Sequence, residues 1–416
     1  MIIPSIDLLA GKAVQLKNGK DLILERDNPL EIGEKFSQFA QIAVIDLDAA
    51  FGSGDNANIV RQLCQRFTCR VGGGIRSIEK AKEIISWGAE QIIIGTNAFK
   101  NNKINKKFLE ELVNSVDKQR IIIAIDSLYG EIVTHGWKHK TGLITTETLP
   151  KLRDYSNGFL FSIVETEGAL KGTDLFLIKS IKNLTNSRLT VAGGVSTLKE
   201  LKILAELNLE VQLGMALYTE TLKLEDCFIE TLDWKKQELI PTITQDTNGE
   251  ILMLGYSNKE SLYKTIKTQN VTYFSRSRNT LWTKGETSGN FQKFIKIRTD
   301  CDRDTLLITA NQIGNACHLN KYSCFGYKKF SIESLYEIVK NRFLFPKEGS
   351  YTAKLKDKKL LRSKIMEEAS EVCSAKDKNN AIWEVADLLY FLTAFMVSEG
   401  IEIKQVLNEL QRRNRV

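Results

Sequence analysis

Acids and glycines in the first 220 or so residues recur at a fixed interval, and that interval limits the fold more than any other feature. Asp7 and Asp126 lie 119 residues apart, as do Gly95 and Gly214, while Gly73 and Gly193 lie 120 apart. Asp46 and Asp48 answer to Glu165 and Glu167 at the same spacing. These residues sit at the ends of short β-branched runs: 2–6, 42–47, one ending at Val71, 91–95, 121–125, 159–164, 189–193 and 211–214. Helical stretches separate the runs. Eight strands alternating with helices predict an eight-stranded parallel (β/α)8 TIM barrel. Periodicity alone does not close a barrel, so an open doubly wound sheet competes. The repeat favours closure, because two four-strand halves sharing one period make a duplicated half-barrel with two-fold pseudosymmetry.

The same symmetry describes a ligand. Gly73 and Gly74 end one strand and Gly193 and Gly194 end its counterpart, with Gly95 and Gly214 as a second pair of turns. Backbone amides at such turns can cradle a phosphate. One glycine pair is usually only a tight turn, but two copies in register imply two phosphates at opposite sides of the barrel mouth. Asp7 and Asp126 then face each other at the C-terminal strand ends, where such barrels place their chemistry. Each acid taken singly reads also as a helix cap. As a pair they fit a general base and a general acid.

The stretches IIPSIDLLAGKAVQL, RDNP, VIDLDAA, VGGGIRS and AIDSLYG resemble the isomerase of histidine biosynthesis over about 225 residues. That enzyme turns the aminoaldose form of a bis-phosphoribosyl imidazole carboxamide into its aminoketose. The resemblance implies Asp7 as the base and Asp126 as the acid, with Ser162 keeping a hydroxyl where threonine is usual. The ammonia-linked synthase barrel of the same pathway is a cousin that ranks second, because its usual opening differs. Glu167-Gly168-Ala169 stands where Asp-Gly-Thr is usual, and Met215 and Gln15 each stand where arginine is usual. Losing a hydroxyl and cationic donors at a phosphate site weakens binding, so an inert or altered barrel kept as a scaffold is the alternative.

A second kind of chemistry lies between 282 and 324. Asp300, Asp302 and Asp304 alternate along what reads as one extended segment, which puts three carboxylates on one face. Such oxygen ligands suit Mg²⁺. Cys301, Cys317 and Cys324 interleave with them. Three thiolates suit Zn²⁺ and leave one position for a water, whose pKa the ion lowers to about 7. A structural zinc knot, or unrelated thiols beside an acidic turn, is the plainer reading. Lys284, Glu286 and Asn290 lie just upstream in a glycine-rich loop. With MLGY, FSRSR (which contains Arg276), WTKGETSGN, DCDRD, CH and SCF, the span from about 234 to 326 resembles phosphoribosyl-AMP cyclohydrolase. The resemblance implies magnesium on the aspartates, zinc on the cysteines across a homodimer interface, and hydrolytic opening of an N1-ribosylated adenine. His318 is a candidate proton-transfer group.

After Phe325 the pattern turns helical, over roughly 331–344, 358–374, 378–398 and 401–413, with the loop 346–352 between the first two. Glu368 and Glu371, and Glu384 and Asp387, are spaced i, i+3, so each pair shares a helix face. Asp387 lies within AIWEVADLLYFLTAFMV, where an unpaired carboxylate costs several kcal/mol unless a cation offsets it. EGSYTAKL, KIMEEASEV and EVADLLYFL resemble phosphoribosyl-ATP pyrophosphohydrolase, an all-α enzyme. That resemblance implies Mg²⁺ on these four acids and release of pyrophosphate.

A chain of 416 residues suits two or three domains. The expected division is a barrel at 1–228, a small mainly-β α+β metal-binding domain at 229–328, and an all-α helical bundle at 329–416. Seven cysteines, an odd number, do not read as a disulfide framework and place the chain in a reducing cytoplasm. Asp7 interrupts the opening apolar run, and the uncharged run Leu388 to Val397 is too short for a bilayer, so no signal peptide and no membrane partner are expected. The net charge of +7 is scattered rather than clustered. That favours small phosphorylated nucleotide substrates over nucleic acid as partners. Read from C-terminus to N-terminus, the three segments match three successive reactions. Other readings are a bifunctional hydrolase with a scaffold barrel, and a nucleotide- or nucleic-acid-binding protein.

Overall fold

All eight β-branched runs are strands: β1 (Ile2–Leu9), β2 (Ile42–Asp46), β3 (Cys69–Gly72), β4 (Gln91–Ile94), β5 (Ile121–Leu128), β6 (Gly158–Ile163), β7 (Arg188–Ala192) and β8 (Glu210–Leu213). In the computed structural model, which describes residues 1–17, 19–327, 330–346 and 349–414, each pairs in parallel with the next. β8 returns to β1 with Val211 opposite Ile2, so the ring is closed and has no edge. This excludes the open sheet. Strands buried on both faces need apolar residues at every position, which is why they read as unbroken isoleucine and valine. Ile93, Ile122, Leu160 and Ala192 fill the barrel interior. At its N-terminal end Arg70, 1% exposed, bonds Thr190 Oγ1 at 2.9 Å and Glu210 Oε2 at 3.0 Å, tying β3 to β7 and β8.

The repeat extends further than the glycines and acids. β1 runs on into a hairpin, Lys12–Lys17 and Asp21–Arg26, and β5 into its counterpart, Glu131–Thr134 and His139–Ile144. Their tips meet over the mouth: a β-carbon on Gly19 would lie 2.7 Å from the Trp137 ring.

The chain divides into two compact units, Met1–Gly326 and Tyr327–Asn414. In the first, the helix Leu224–Glu230 leads from the barrel to a four-stranded sheet ordered Ile251–Ser257, Ile240–Gln245, Leu306–Gln312, Gln292–Thr299. A two-stranded ribbon, Thr272–Ser275 with Thr280–Thr283, accompanies it. Barrel and sheet share one core. Phe39 contacts both Phe228 and Phe294, and Arg298 donates to the carbonyls of Ser37 and Gln38 at 2.8 and 3.2 Å.

The second unit holds four long helices, Ile332–Leu344, Lys358–Cys373, Lys378–Ser398 and Ile403–Asn414, close to expectation, plus a short one at Tyr351–Lys354. Within the expected loop 346–352, residues Lys347 and Glu348 lie outside the described residues, and Glu348 is also the first residue of the motif EGSYTAKL. The buried core of this unit is small, built on Val339, Leu355, Leu361, Phe391 and Ala394. Much of the third helix is exposed, with Trp383 at 71% and Ile382 at 57%. By length and composition that 21-residue helix, mean hydropathy 1.5, could cross a membrane.

Candidate active sites

Three carboxylates line one cavity of about 240 Å³ at the C-terminal end of the barrel: Asp7 from β1, Asp126 from β5 and Glu167 from the loop after β6. Each touches the cavity but is otherwise enclosed by the barrel wall. Burial raises Asp7 to about 6, against a hydrogen bond from Ser5 Oγ at 2.6 Å that favours its charged form. Asp126 is also raised by burial, and hydrogen bonds from Ser162 and Trp137 oppose the rise. Glu167 rises furthest, to about 8, because burial is joined by the neighbouring charges of Asp7 and Asp126. At neutral pH the cavity therefore holds at least one proton among three acids, the arrangement a base and an acid need to coexist.

The structure brings Asp7, Asp126 and Ser162 together as the sequence predicts. Glu167, which the sequence reading names in the repeat and as a departure but not as a site residue, lines the same cavity, and so does Trp137, which it misses altogether. The repeat could have signalled Glu167. Its counterpart Asp48 is spent on structure, accepting from the Ala10 amide at 2.6 Å, and Asp46 caps a helix by accepting from the Ala49 amide. Gly73, Gly74, Gly95 and Arg76 also line the cavity.

In the sheet region Asp300, Asp302 and Asp304 converge as expected, their carboxylates within 4.8 Å of one another. The reason differs from the one predicted. Residues 301–304 form a bend, not an extended strand, with Arg303 at φ +66° and Asp300 Oδ1 accepting from the amides of Asp304 and Thr305 at 3.1 and 3.2 Å. Strand alternation is corrected to a carboxylate-capped turn. Lys236 Nζ bridges Asp302 and Asp304 at 2.6 and 2.7 Å, so the cluster attracts a cation.

Cys317 and Cys324 lie in hydrogen-bonding contact, and burial with the Cys317 neighbour raises the Cys324 thiol. Lys284, nearly buried, sits beside both; burial lowers its pKa and the two thiols oppose that. Cys301 is exposed. Among the described residues no three-ligand cluster includes it, so one chain supplies two thiols together and the third elsewhere. His318 is exposed. Arg276 stacks at 3.8 Å over Tyr256, and Glu286 accepts from the Thr283 amide at 3.1 Å.

In the helical unit Glu368, Glu371 and Glu384 also lie within 4.8 Å of one another. Burial raises Glu368, then the charges of Glu371 and Asp387, which places Asp387 beside the cluster. A hydrogen bond to Glu384 raises Glu371. Asp387 itself is exposed, because the apolar residues around it in sequence are uncovered on this helix. Its expected burial is corrected.

A family model described as histidine biosynthesis protein matches residues 1–223, more than half of the chain. The chain belongs to the histidine biosynthesis protein family. Models for phosphoribosyl-AMP cyclohydrolase and phosphoribosyl-ATP pyrophosphohydrolase match residues 253–326 and 332–414. An imidazole-4-carboxamide isomerase of Methanocaldococcus jannaschii, which acts on a molecule with two phosphoribosyl groups by its name, is 37% identical over 52% of the chain and 93% of its own length. The histidine biosynthesis bifunctional protein HisIE of Pyrococcus furiosus is 41% identical over 45% of the chain and 97% of itself. A histidine biosynthesis trifunctional protein of Kluyveromyces lactis is 44% identical over 42% of the chain and 22% of itself. This histidine biosynthesis protein is thus a multidomain enzyme, a closed barrel of the isomerase type followed by two hydrolase domains.

Proposed function

We propose that the three segments, 1–228, 229–328 and 329–416, carry out three consecutive steps. The helical segment releases pyrophosphate from phosphoribosyl-ATP, the sheet region opens the adenine ring of the product, and the barrel isomerises the resulting aminoaldose. The observation that supports this best is that each segment gathers its own ligand or proton-transfer cluster. Glu368, Glu371, Glu384 and Asp387 fit Mg²⁺, which draws charge from a phosphate chain. Asp300, Asp302 and Asp304 fit a second Mg²⁺, and Lys236 already answers to that charge. Cys317 and Cys324 with Cys301 from a second copy fit Zn²⁺, which makes a water acidic. Lys284 and Arg276 would face substrate phosphate there, Glu286 would order the loop, and His318 would move a proton.

In the barrel, Asp126 protonates the sugar ring oxygen so that the ring opens to an iminium. Asp7 removes the proton from the adjacent carbon, and the enolamine collapses to the aminoketose. Ser162 holds Asp126 in place. Gly73, Gly74 and Gly95, with Gly193, Gly194 and Gly214, frame the ends of the substrate site. The chain works in the cytoplasm on small nucleotides, as a homodimer through the cyclohydrolase region, without nucleic acid or membrane.

The test is rescue of three histidine auxotrophs, each lacking one of the three steps, with this single chain. Growth of all three is expected. Growth of the first two alone would remove the isomerase and leave the barrel as scaffold.

A further inference from the structure

The repeat that duplicates the two aspartates of the barrel does not duplicate what holds them. Ser5 lies two residues before Asp7 on β1, so both side chains point to the same face of the strand. Its Oγ donates to Asp7 Oδ1 at 2.6 Å, a short charge-assisted bond. In the second half the residue two before Asp126 is Ala124, which has no hydroxyl to give. There the hydroxyl comes from the neighbouring strand. Ser162 on β6 stands opposite Asp126, while Ile45 on β2 stands opposite Asp7. Each acid has its own serine, and the two serines reach their acids from different directions.

Ser5 is 3% exposed and does not line the cavity, whereas Asp7 does. Its hydroxyl therefore acts on the reacting atoms only through Asp7. Among the described residues no second group donates to Asp7, so this one bond fixes how its carboxylate is turned. With Oδ1 engaged, Oδ2 is left for the substrate. A donor on the carboxylate also favours the charged form, which is the form that takes a proton. Other ionisable groups surround Asp7 without bonding to it. Asp126, Glu167 and Arg76 line the same cavity. The charge of Asp7 also reaches Tyr218 on the helix Met215–Tyr218, where Arg26 of the first hairpin opposes it. A substitution confined to Ser5 leaves all of these in place.

We propose that Ser5 is the positioning residue of the isomerase base: its hydroxyl pins one oxygen of Asp7 and leaves the other turned to the substrate carbon. This rests on the isomerase reading of the barrel.

The full chain carrying Ser5→Ala or Ser5→Thr is compared with wild type. In Ser5→Ala the rise of kcat/KM with pH should move up by about one unit, the loss of one charge-assisted hydrogen bond. On the plateau kcat should fall about 10-fold while KM stays within about 3-fold, because the base loses its orientation and the substrate loses no contact. Ser5→Thr keeps the hydroxyl and should restore both. A second readout needs no turnover. The carboxyl carbon of Asp7, followed by carbon NMR and assigned by its loss in Asp7→Asn, should titrate about one unit higher in Ser5→Ala.

A fall in kcat with neither pH midpoint moved would overturn the proposal and leave Ser5 as packing. So would a Ser5→Ala chain indistinguishable from wild type, or failure of Ser5→Thr to restore what Ser5→Ala loses. A moved Asp7 titration in a chain whose wild type isomerises nothing would sink the isomerase reading, and the role of Ser5 in turnover with it, while leaving the bond itself standing.

Discussion

The barrel and the helical unit both hold several carboxylates together, and they do so by opposite means. In the barrel a closed ring of strands surrounds Asp7, Asp126 and Glu167, and burial favours their protonated forms, with Glu167 raised to about 8 by burial and then by the charges of the other two. In the helical unit Glu371 and Asp387 are exposed, the core behind them is small, and much of the apolar surface of the same helix is uncovered. The proposed roles follow this difference: proton transfer for the acids enclosed in the barrel, and a cation for the helical cluster, in which Glu368 is buried but Glu371 and Asp387 are open to solvent. The sheet region lies between the two, with its aspartates neutralised by Lys236 and its thiols gathered two at a time.

The comparison breaks first under metal removal. Chelation should abolish pyrophosphate release and ring opening while leaving isomerisation of added aminoaldose unchanged, as separate assays of the three steps would show. Loss of all three would mean that the barrel acids are not self-sufficient. Next, Asp7→Asn should lower the isomerase kcat by about 10³-fold, within the range for a lost general base, with both hydrolase rates intact. Its wild-type kcat/KM should rise with pH through about 6, as Asp7 loses its proton.

Zinc sharpens the contrast between closed and shared sites. Cys301→Ala and Cys317→Ala should each lose zinc alone. Mixing the two chains should restore it to about a quarter of the wild-type content, because half of the dimers are mixed and each has one intact site. No recovery on mixing would place the three thiols in one chain.

A smaller effect concerns stability. Glu167 has a folded pKa raised from 4.5 to about 8, so the stability it contributes is full below 4.5 and is lost as pH rises towards 8. Glu167→Gln should flatten that fall, adding on the order of 3 kcal/mol at pH 8 by denaturant melts. The smallest change is Lys236→Ala, which frees the exposed Asp302 and the half-buried Asp304 and should lower the magnesium needed for ring opening by about 2-fold to 5-fold.

Much of this was legible because burial on both faces writes itself as β-branched runs, and because duplication repeats its glycines in register. What was not legible has physical reasons. The two hairpins over the barrel mouth carry mixed polar residues whose pairing depends on each other, so residues 12–26 and 131–144 give no run to read. The aspartates at 300–304 gather through a bend that a period-two argument does not contain. Asp387 looked buried because its sequence neighbours are apolar, yet apolar neighbours guarantee burial only when something covers them. Glu167 faces the cavity while its repeat counterpart Asp48 accepts from the Ala10 amide, and spacing is silent on that.

The meeting of Gly19 with the Trp137 ring has a consequence for the whole barrel. The two hairpins form a roof whose ridge admits no side chain on the first one. Any residue larger than glycine there would prop the roof open and let bulk solvent reach the acids beneath. Their acidities would relax to those of ordinary carboxylates, and the barrel would keep all three acids while losing the spread of proton affinities that their enclosure gives them.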